Sequence, residues 1–320
     1  MQVNITHLID DVQFFQTVRE LRWPEGIACP SCASQYVIKR GCDDAEPARQ
    51  HYTCHDGDTR FDALTDTIFA GHHQPLKVSV WCRYCMGLNV SNEHIGHALA
   101  LNGSEVQQMT AQRRGGIEKK PTVTLSNAVE CDEASVIAGH KGQPEVIKST
   151  GRQGRRRRLQ GKSGRGTIEK ARPPVFGMRQ RGGQVVIHRL ANVRHKTIAP
   201  VIKDTIVAGT RVYTDEYRMY ARLQSWAYDH QSAHHGRGAC ARDDDGDGVC
   251  AVHVHTMEGF WSLLRSWLCP HRGISQEQLP LYLRCFECVH NVRKRGKALL
   301  GALIALLVSS DPGIQEERSL

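Results

Sequence analysis

Nothing at the amino terminus reads as a secretory leader: MQVNITHLIDD has no positively charged segment followed by an apolar core. Among its 320 residues the chain also lacks an apolar run long enough to cross a bilayer. The best candidate, Ala298–Val308, spans 11 residues and reads as a buried helix. A membrane partner is therefore not expected, and a cytoplasmic location is. Acidic residues are in deficit, 33 Asp and Glu against 42 Lys and Arg, for a net charge of +9. That balance points towards a polyanionic partner, most simply nucleic acid. A calcium loop is missing too. Asp243, Asp245, Asp247 and Gly248 in ARDDDGDGVC have the spacing of an EF-hand, but Val254 stands where the closing bidentate glutamate belongs.

Cysteine is not scarce. Twelve are present, but a disulfide framework belongs to small secreted scaffolds, which this chain is not. Three pairs have C-x-x-C spacing: Cys29/Cys32, Cys82/Cys85 and Cys285/Cys288. Only the first lies in a turn suited to a metal knuckle, ACPSC; the others fall in helix-like apolar stretches and read as packed thiols.

Along the chain, residues 1–24 predict a short helix ending before Pro24. Residues 25–62 alternate short strands with cysteine turns, the pattern of a zinc ribbon, in which metal binding replaces a core too small to fold alone. A second knuckle wants a cysteine three residues after Cys54, where Gly57 stands. Cys29, Cys32 and Cys54 are then three zinc ligands. His55 is a candidate for the fourth, with His51 and Cys42 as alternatives, and loss of the metal stays open.

Residues 63–118 predict helices. Ser91 caps one over Asn92–Ala100; Ser104, with Gln107 completing a capping box, opens another that ends in Arg113 and Arg114. This is a helix-turn-helix pattern, with Arg113 and Arg114 as DNA contacts, although any αα-hairpin has the same outline.

Residues 124–310 predict a mixed α/β sheet: a strand, NAVECDEASVIAG, a two-stranded hairpin around Arg181-Gly182-Gly183, a helix, the strand TRVYTDEY, a helix over Tyr217–Trp226, a polar insertion, then further helices. Within this region residues 142–172 are basic, with Arg155, Arg156, Arg157 and Arg158 in a row, and read as a loop contacting DNA phosphates.

Asp132 lies on the first of these strands and Asp215 near the end of a later one. In VHVHTMEGFWSLLRSWL, Met257, Phe260, Trp261, Leu264, Trp267 and Leu268 share one helical face, while His255, Glu258, Ser262 and Arg265 share the other. Carboxylates converging from two strands and a helix can hold two Mg²⁺ (or Mn²⁺) ions about 4 Å apart for phosphodiester chemistry, with Arg265 holding the scissile strand.

The blocks YTDEYRMYARL, PVFGMRQRGGQVVIHRL and HTMEGFWSLLR onward resemble bacterial insertion-sequence transposases of the DDE superfamily. The subgroup is the insertion-sequence family fifteen ninety-five, with its XO-two-like transposase domain. The resemblance implies an RNase H-like catalytic core, an N-terminal zinc ribbon and a helical DNA-binding part. It also implies cutting and joining of double-stranded DNA at terminal inverted repeats, by a nucleoid-associated homodimer. Asp132 and Asp215 match the first two catalytic aspartates. The third place falls on His255 by alignment or on Glu258 by ligand chemistry, and both stay open. Gly57 and His255 depart from the family pattern, which leaves a catalytically impaired, DNA-binding copy as the alternative.

Overall fold

The structure, a computed structural model, describes residues 10–67, 69, 70, 74, 76–118, 123–140, 144–149, 172–215, 220, 222–233, 241, 242, 252, 253, 255–271, 273–293 and 301. Arg155–Arg158, the acidic turn after Arg242 and most of the Ala298–Val308 run lie outside the described residues. The chain divides into two compact units, Met1–Lys120 with Val292–Leu320, and Pro121–Asn291. The second unit thus closes at Asn291, where the sequence reading carries the core on to residue 310.

In the first unit, α1 (Asp11–Arg22) begins at Asp10, whose side chain accepts the Val12 N–H at 2.8 Å. It buries Phe14, Phe15 and Val18 against Ala63, Leu64, Phe69 and Val80. At its end Arg22 donates to the Ala63 and Thr65 carbonyls at 2.7 and 2.5 Å, tying the helix to the turn after the ribbon. The ribbon is an antiparallel sheet of β1 (Val37–Cys42), β2 (Gln50–Cys54) and β3 (Arg60–Asp62). Its buried residues are few, Cys29, Tyr52, Cys54 and Phe61, with half-buried Trp23 edge-on to both aromatic rings.

Helices α2 (Leu76–Gly87), α3 (Asn92–Leu99) and α4 (Gly103–Glu118) follow. Ser91 caps α3, accepting the His94 N–H at 3.3 Å. The cap of α4 differs from expectation. Asn102 Oδ1 accepts the Glu105 N–H at 2.9 Å and Glu105 Oε2 accepts the Asn102 N–H at 3.0 Å, so the reciprocal box is Asn102/Glu105, not Ser104/Gln107. Ser104 is drawn in as a donor to Asn102 Oδ1.

The second unit is a mixed five-stranded sheet flanked by helices, the α/β architecture expected. Its members in chain order are β4 (Ala128–Ser135), β5 (Ala138–Gly139), α5 (Pro144–Ser149), β6 (Pro174–Gln180), β7 (Val185–Arg189), α6 (His195–Thr205), β8 (Arg211–Asp215), β9 (Asp229–Ala233), β10 (Ala241–Arg242), β11 (Val252–His253), α7 (His255–Leu268), β12 (Ile274–Ser275) and α8 (Leu279–Arg293). The strand order is β7-β6-β4-β8-β9; β4 is antiparallel to β6 and parallel to β8, which is parallel to β9.

Alternation along β4 sorts its side chains. Val129 and Cys131 face the α6 side, packed among Phe176, Met178, Ile198, Ile202 and Tyr220. Glu130 and Asp132 face the α7 side. There Gly177 is obligatory: a Cβ would sit 2.6 Å from Trp261 and 2.8 Å from Met257, so its absence lets α7 lie close on the sheet. The edge strand β7 is covered rather than bare. Glu287 of α8 accepts the Ile187 N–H at 2.9 Å, and Asn291 both accepts the Val185 N–H and donates to its carbonyl, at 2.8 and 2.9 Å.

Two elements depart from the sequence reading. Of the helix expected over Tyr217–Trp226, the regular part that can be described is a 3-10 turn, Gln224–Trp226, ended by Ala227 at φ +65°. Strand β9 was not expected, because Asp-His-Gln-Ser-Ala carries no apolar alternation; as an edge strand it needs little.

Candidate functional site

The β4–β8 ladder pairs Ala128 with Arg211, Val129 with Val212 and Glu130 with Tyr213, and ends there. Both strands continue. β8 stays paired with β9 as far as Asp215–Ala233, while β4 stays paired with β6 through Ser135–Pro174. The two parallel strands therefore part at their carboxyl ends, the place where α/β sheets form ligand crevices. Asp132 and Asp215 lie two residues past the last rung on each strand, which puts both on the α7 face.

Three carboxylates gather here. Oxygens of Asp132, Glu133 and Asp215 all lie within 4.8 Å of one another. Asp132 is the most constrained: Oδ2 accepts the Trp261 indole N–H at 2.8 Å and Oδ1 accepts the Glu133 backbone N–H at 2.8 Å. Burial, and then the charges of Asp215 and Glu258, push the Asp132 carboxyl up, against the pull of those two donors. Glu133 Oε1 accepts the phenol of Tyr220 at 2.7 Å. Burial, with the Glu133 charge behind it, pushes that phenol well above its ordinary value and keeps it a donor.

Behind the carboxylates lies an ion pair between a buried glutamate and a half-buried arginine. Glu130, 0% exposed, accepts Arg181 Nε at 2.7 Å and the hydroxyl of Thr256 in the first turn of α7. Arg181 lies over the Tyr213 ring at 3.8 Å, and Arg179 donates to the Thr256 carbonyl at 2.8 Å. The start of α7 is thus fixed to β4 and β6 from both its side chain and its backbone.

On α7, Met257, Phe260, Trp261, Leu264 and Trp267 are buried, and Glu258, Ser262 and Arg265 are exposed. Glu258 is near enough to raise Asp132, but its carboxylate is not among those within 4.8 Å. The backbone of His255 opens the helix; its side chain lies outside the described residues. Sequence reasoning missed Glu133, because neighbours in a strand face opposite ways, and took Trp261 as core alone.

In the ribbon, Cys29, Cys32 and Cys54 bring their sulfurs within 4.8 Å of one another, with Cys32 and Cys54 3.5 Å apart. Burial raises the Cys54 thiol, but the Gly57 and Asp56 N–H groups and the neighbouring thiols outweigh it and hold it below its ordinary value. Three thiols at this spacing suit zinc. His55 is not with them: its ring stacks on Tyr36 at 4.3 Å. Gly57 has room, since a Cβ there would meet only Thr59 Oγ1 at 3.6 Å.

The arginines expected as DNA contacts of α4 do not lie on its exposed side. Arg113 and Arg114 are 1% and 3% exposed, and Arg113 Nη1 donates to the Met109 carbonyl at 2.7 Å. Their side of the helix packs inward with Val106, Met109 and Ile117. The exposed side instead carries Ser104, Gln107, Gln108 and Gln112. No helix among the described residues is long and apolar enough to cross a membrane.

Comparison with known proteins places this geometry. The family model of the ISXO2-like transposase domain matches residues 124–288, and that of the transposase zinc-ribbon domain matches residues 9–56. A relative from Halobacterium salinarum, described as an uncharacterized protein in transposable element ISH50, is 31% identical over 291 residues, covering 89% of this chain and 92% of that protein. A solved simian T-cell lymphotropic virus intasome in complex with the PP2A regulatory subunit B56 gamma aligns with 65% of this chain and 68% of its own, at 9% identity and a TM-score of 0.28, too slight to carry an argument. The mixed sheet with its flanking helices and amino-terminal ribbon is consistent with an RNase H-like transposase core.

Proposed function

The chain belongs to the family of transposases with an ISXO2-like domain, and on that premise we propose that it cuts and joins DNA at the terminal inverted repeats of an insertion sequence. The observation that carries this reading is the gathering of Asp132, Asp215 and Glu133 where β4 and β8 part. Their donor set is all hard oxygen, which suits Mg²⁺ or Mn²⁺. Burial first, and then the charges of Asp215 and Glu258, raise the Asp132 carboxyl, and a divalent cation would offset the repulsive part of that cost. When bound, such cations supply Lewis acidity to the attacking and leaving oxygens of phosphodiester hydrolysis and transesterification.

The chain's own residues do the positioning. Trp261 orients Asp132, and the Glu130–Arg181 pair fixes the start of α7 beside it. Arg265, exposed on the outward side of α7, is placed to meet a phosphate of the scissile strand, with Glu258 or His255 completing the catalytic set. Binding draws on the net charge of +9, including Arg155–Arg158. The glutamine side of α4 supplies base contacts: paired donors and acceptors on Gln108 and Gln112 match adenine edges in a major groove, whereas the Gln107 amide oxygen already accepts from Asn92 at 2.8 Å. Two ends must be held together for joining, so the working species is a homodimer on double-stranded DNA.

The reading is tested by incubating purified protein with Mg²⁺ or Mn²⁺, end-labelled terminal-repeat DNA and a plasmid target. Strand-transfer products are the expected result. Salt-sensitive binding without cleavage would instead make this an impaired, DNA-binding copy; cleavage without joining would make it a nuclease.

A further inference from the structure

Asp132 and Asp215 reach the crevice from the α7 face of the sheet, as alternation on their strands requires. Glu133, the next residue on β4, belongs to the other face. Its neighbour at i−2, Cys131, is fully buried there among Ile198, Ile202 and Tyr220, and Glu133 itself accepts a hydrogen bond from Tyr220 at 2.7 Å. A carboxylate on that side of a continuous ladder would be walled off from Asp132 by the sheet backbone. Here the β4–β8 ladder has already ended at Glu130–Tyr213. Through that opening a Glu133 oxygen comes within 4.8 Å of oxygens of both aspartates.

We propose that Glu133 is a third carboxylate ligand of the divalent cation held by Asp132 and Asp215, delivered through the parted strands and positioned by Tyr220. This rests on the transposase reading of the same site. The three groups come from both sides of the sheet and surround the cation more fully than two aspartates on one face. Tyr220 is a positioning residue: its phenol, 1% exposed, fixes one oxygen of Glu133 while touching neither cation nor DNA. The site then does not need Glu258 as its third oxygen ligand, and Glu258 is left on the exposed side of α7.

The experiment is Mn²⁺ binding to the full-length protein without DNA, by calorimetry and by loss of the free-ion electron paramagnetic resonance signal. The arms are wild type, Asp215→Asn, Glu133→Gln, Tyr220→Phe and Glu258→Gln. Asp229→Asn serves as a control, an exposed carboxylate paired with Arg211 at the end of β8 opposite Asp215. Glu133→Gln keeps an acceptor for Tyr220, so its fold should be retained, as circular dichroism would verify. The expected result is a Kd raised at least tenfold by Asp215→Asn and by Glu133→Gln, about threefold by Tyr220→Phe, and unchanged by Asp229→Asn. Wild-type affinity in Glu133→Gln alongside a loss in Asp215→Asn overturns the role of Glu133 and leaves the transposase reading standing. A loss in Glu258→Gln with none in Glu133→Gln assigns the third ligand to Glu258 instead. Unchanged binding in Asp215→Asn, or none in wild type, overturns both. If Glu133→Gln does not fold, Tyr220→Phe decides: unchanged affinity there overturns the proposal.

Discussion

The indole N–H of Trp261 donates to Asp132 Oδ2 at 2.8 Å, so a residue that looks like core filler also sets the direction of a site carboxylate. Its ring does both tasks, being 3% exposed and packed above Gly177. Trp261→Phe should keep most of the packing and lose the bond. The expected outcome is DNA nicking slowed ten- to a hundredfold, with stability lowered by about 1–2 kcal/mol. Single-turnover nicking and urea unfolding measured together check it; a rate loss no greater than the loss of folded protein would reduce Trp261 to packing.

Gly177→Ala probes the same contact from the strand side. The added methyl would lie 2.6 Å from the Trp261 ring, too close for the helix to stay where it is. An overpacking cost of about 1–3 kcal/mol is expected, with a larger fall in nicking than in folding, because α7 carries Asp132's donor. A variant as stable and as active as wild type would show that α7 does not sit as described.

The ribbon gathers three of its four thiols and leaves a gap beside them. Gly57→Cys should complete a four-sulfur site, since the position is open and its backbone is not left-handed. Zinc affinity in chelator competition should rise at least tenfold, and Cys54→Ser should abolish stoichiometric zinc. Unchanged affinity in Gly57→Cys would mean that another group already fills the fourth place.

Asn291→Ala removes both bonds to Val185 on the edge strand β7. Leaving that backbone pair to find new partners should cost about 1–3 kcal/mol. Hydrogen exchange at Val185 and Ile187 should accelerate more than at β4.

His188 gives a pH signature. Burial, and then the Arg284 charge, lower its imidazole below the ordinary value of about 6.5. Between the folded and unfolded values the unfolded chain binds more protons, so stability rises with pH there. The His188 contribution is complete above about pH 6.5 and is lost as pH falls below it. The stability gap between wild type and His188→Gln should therefore narrow from pH 7.5 to pH 5.5. A constant gap would contradict the shift.

Much of this architecture was legible in the residues. Apolar spacing in HTMEGFWSLLR gave the face that α7 buries, and alternation in VFGMRQ and VVIHR gave the hairpin of β6 and β7. The strand-borne Asp132 and Asp215 were legible as well. What escaped notice depends on tertiary context. Strand β9 is polar because it is an edge; the α4 cap fell to Asn102 because its side chain, one turn before Val106, reached Glu105 first. Arg113 and Arg114 look like phosphate ligands in one dimension, and only packing of the helices turns them inward. Glu133 was hidden because neighbours on a strand point to opposite faces; that alternation holds here, but the sheet no longer separates the two faces where the β4–β8 ladder ends.

The most direct test of the central claim is a change of metal requirement. Asp215→Cys replaces a hard oxygen ligand with a softer sulfur, which Mg²⁺ binds poorly and Mn²⁺ tolerates better. With terminal-repeat DNA, wild type is expected to nick in either metal, and Asp215→Cys to be inactive in Mg²⁺ and to regain nicking in Mn²⁺. Nicking by Asp215→Cys at the wild-type rate in Mg²⁺, or no nicking by wild type in either metal, would contradict a catalytic metal site at Asp132 and Asp215.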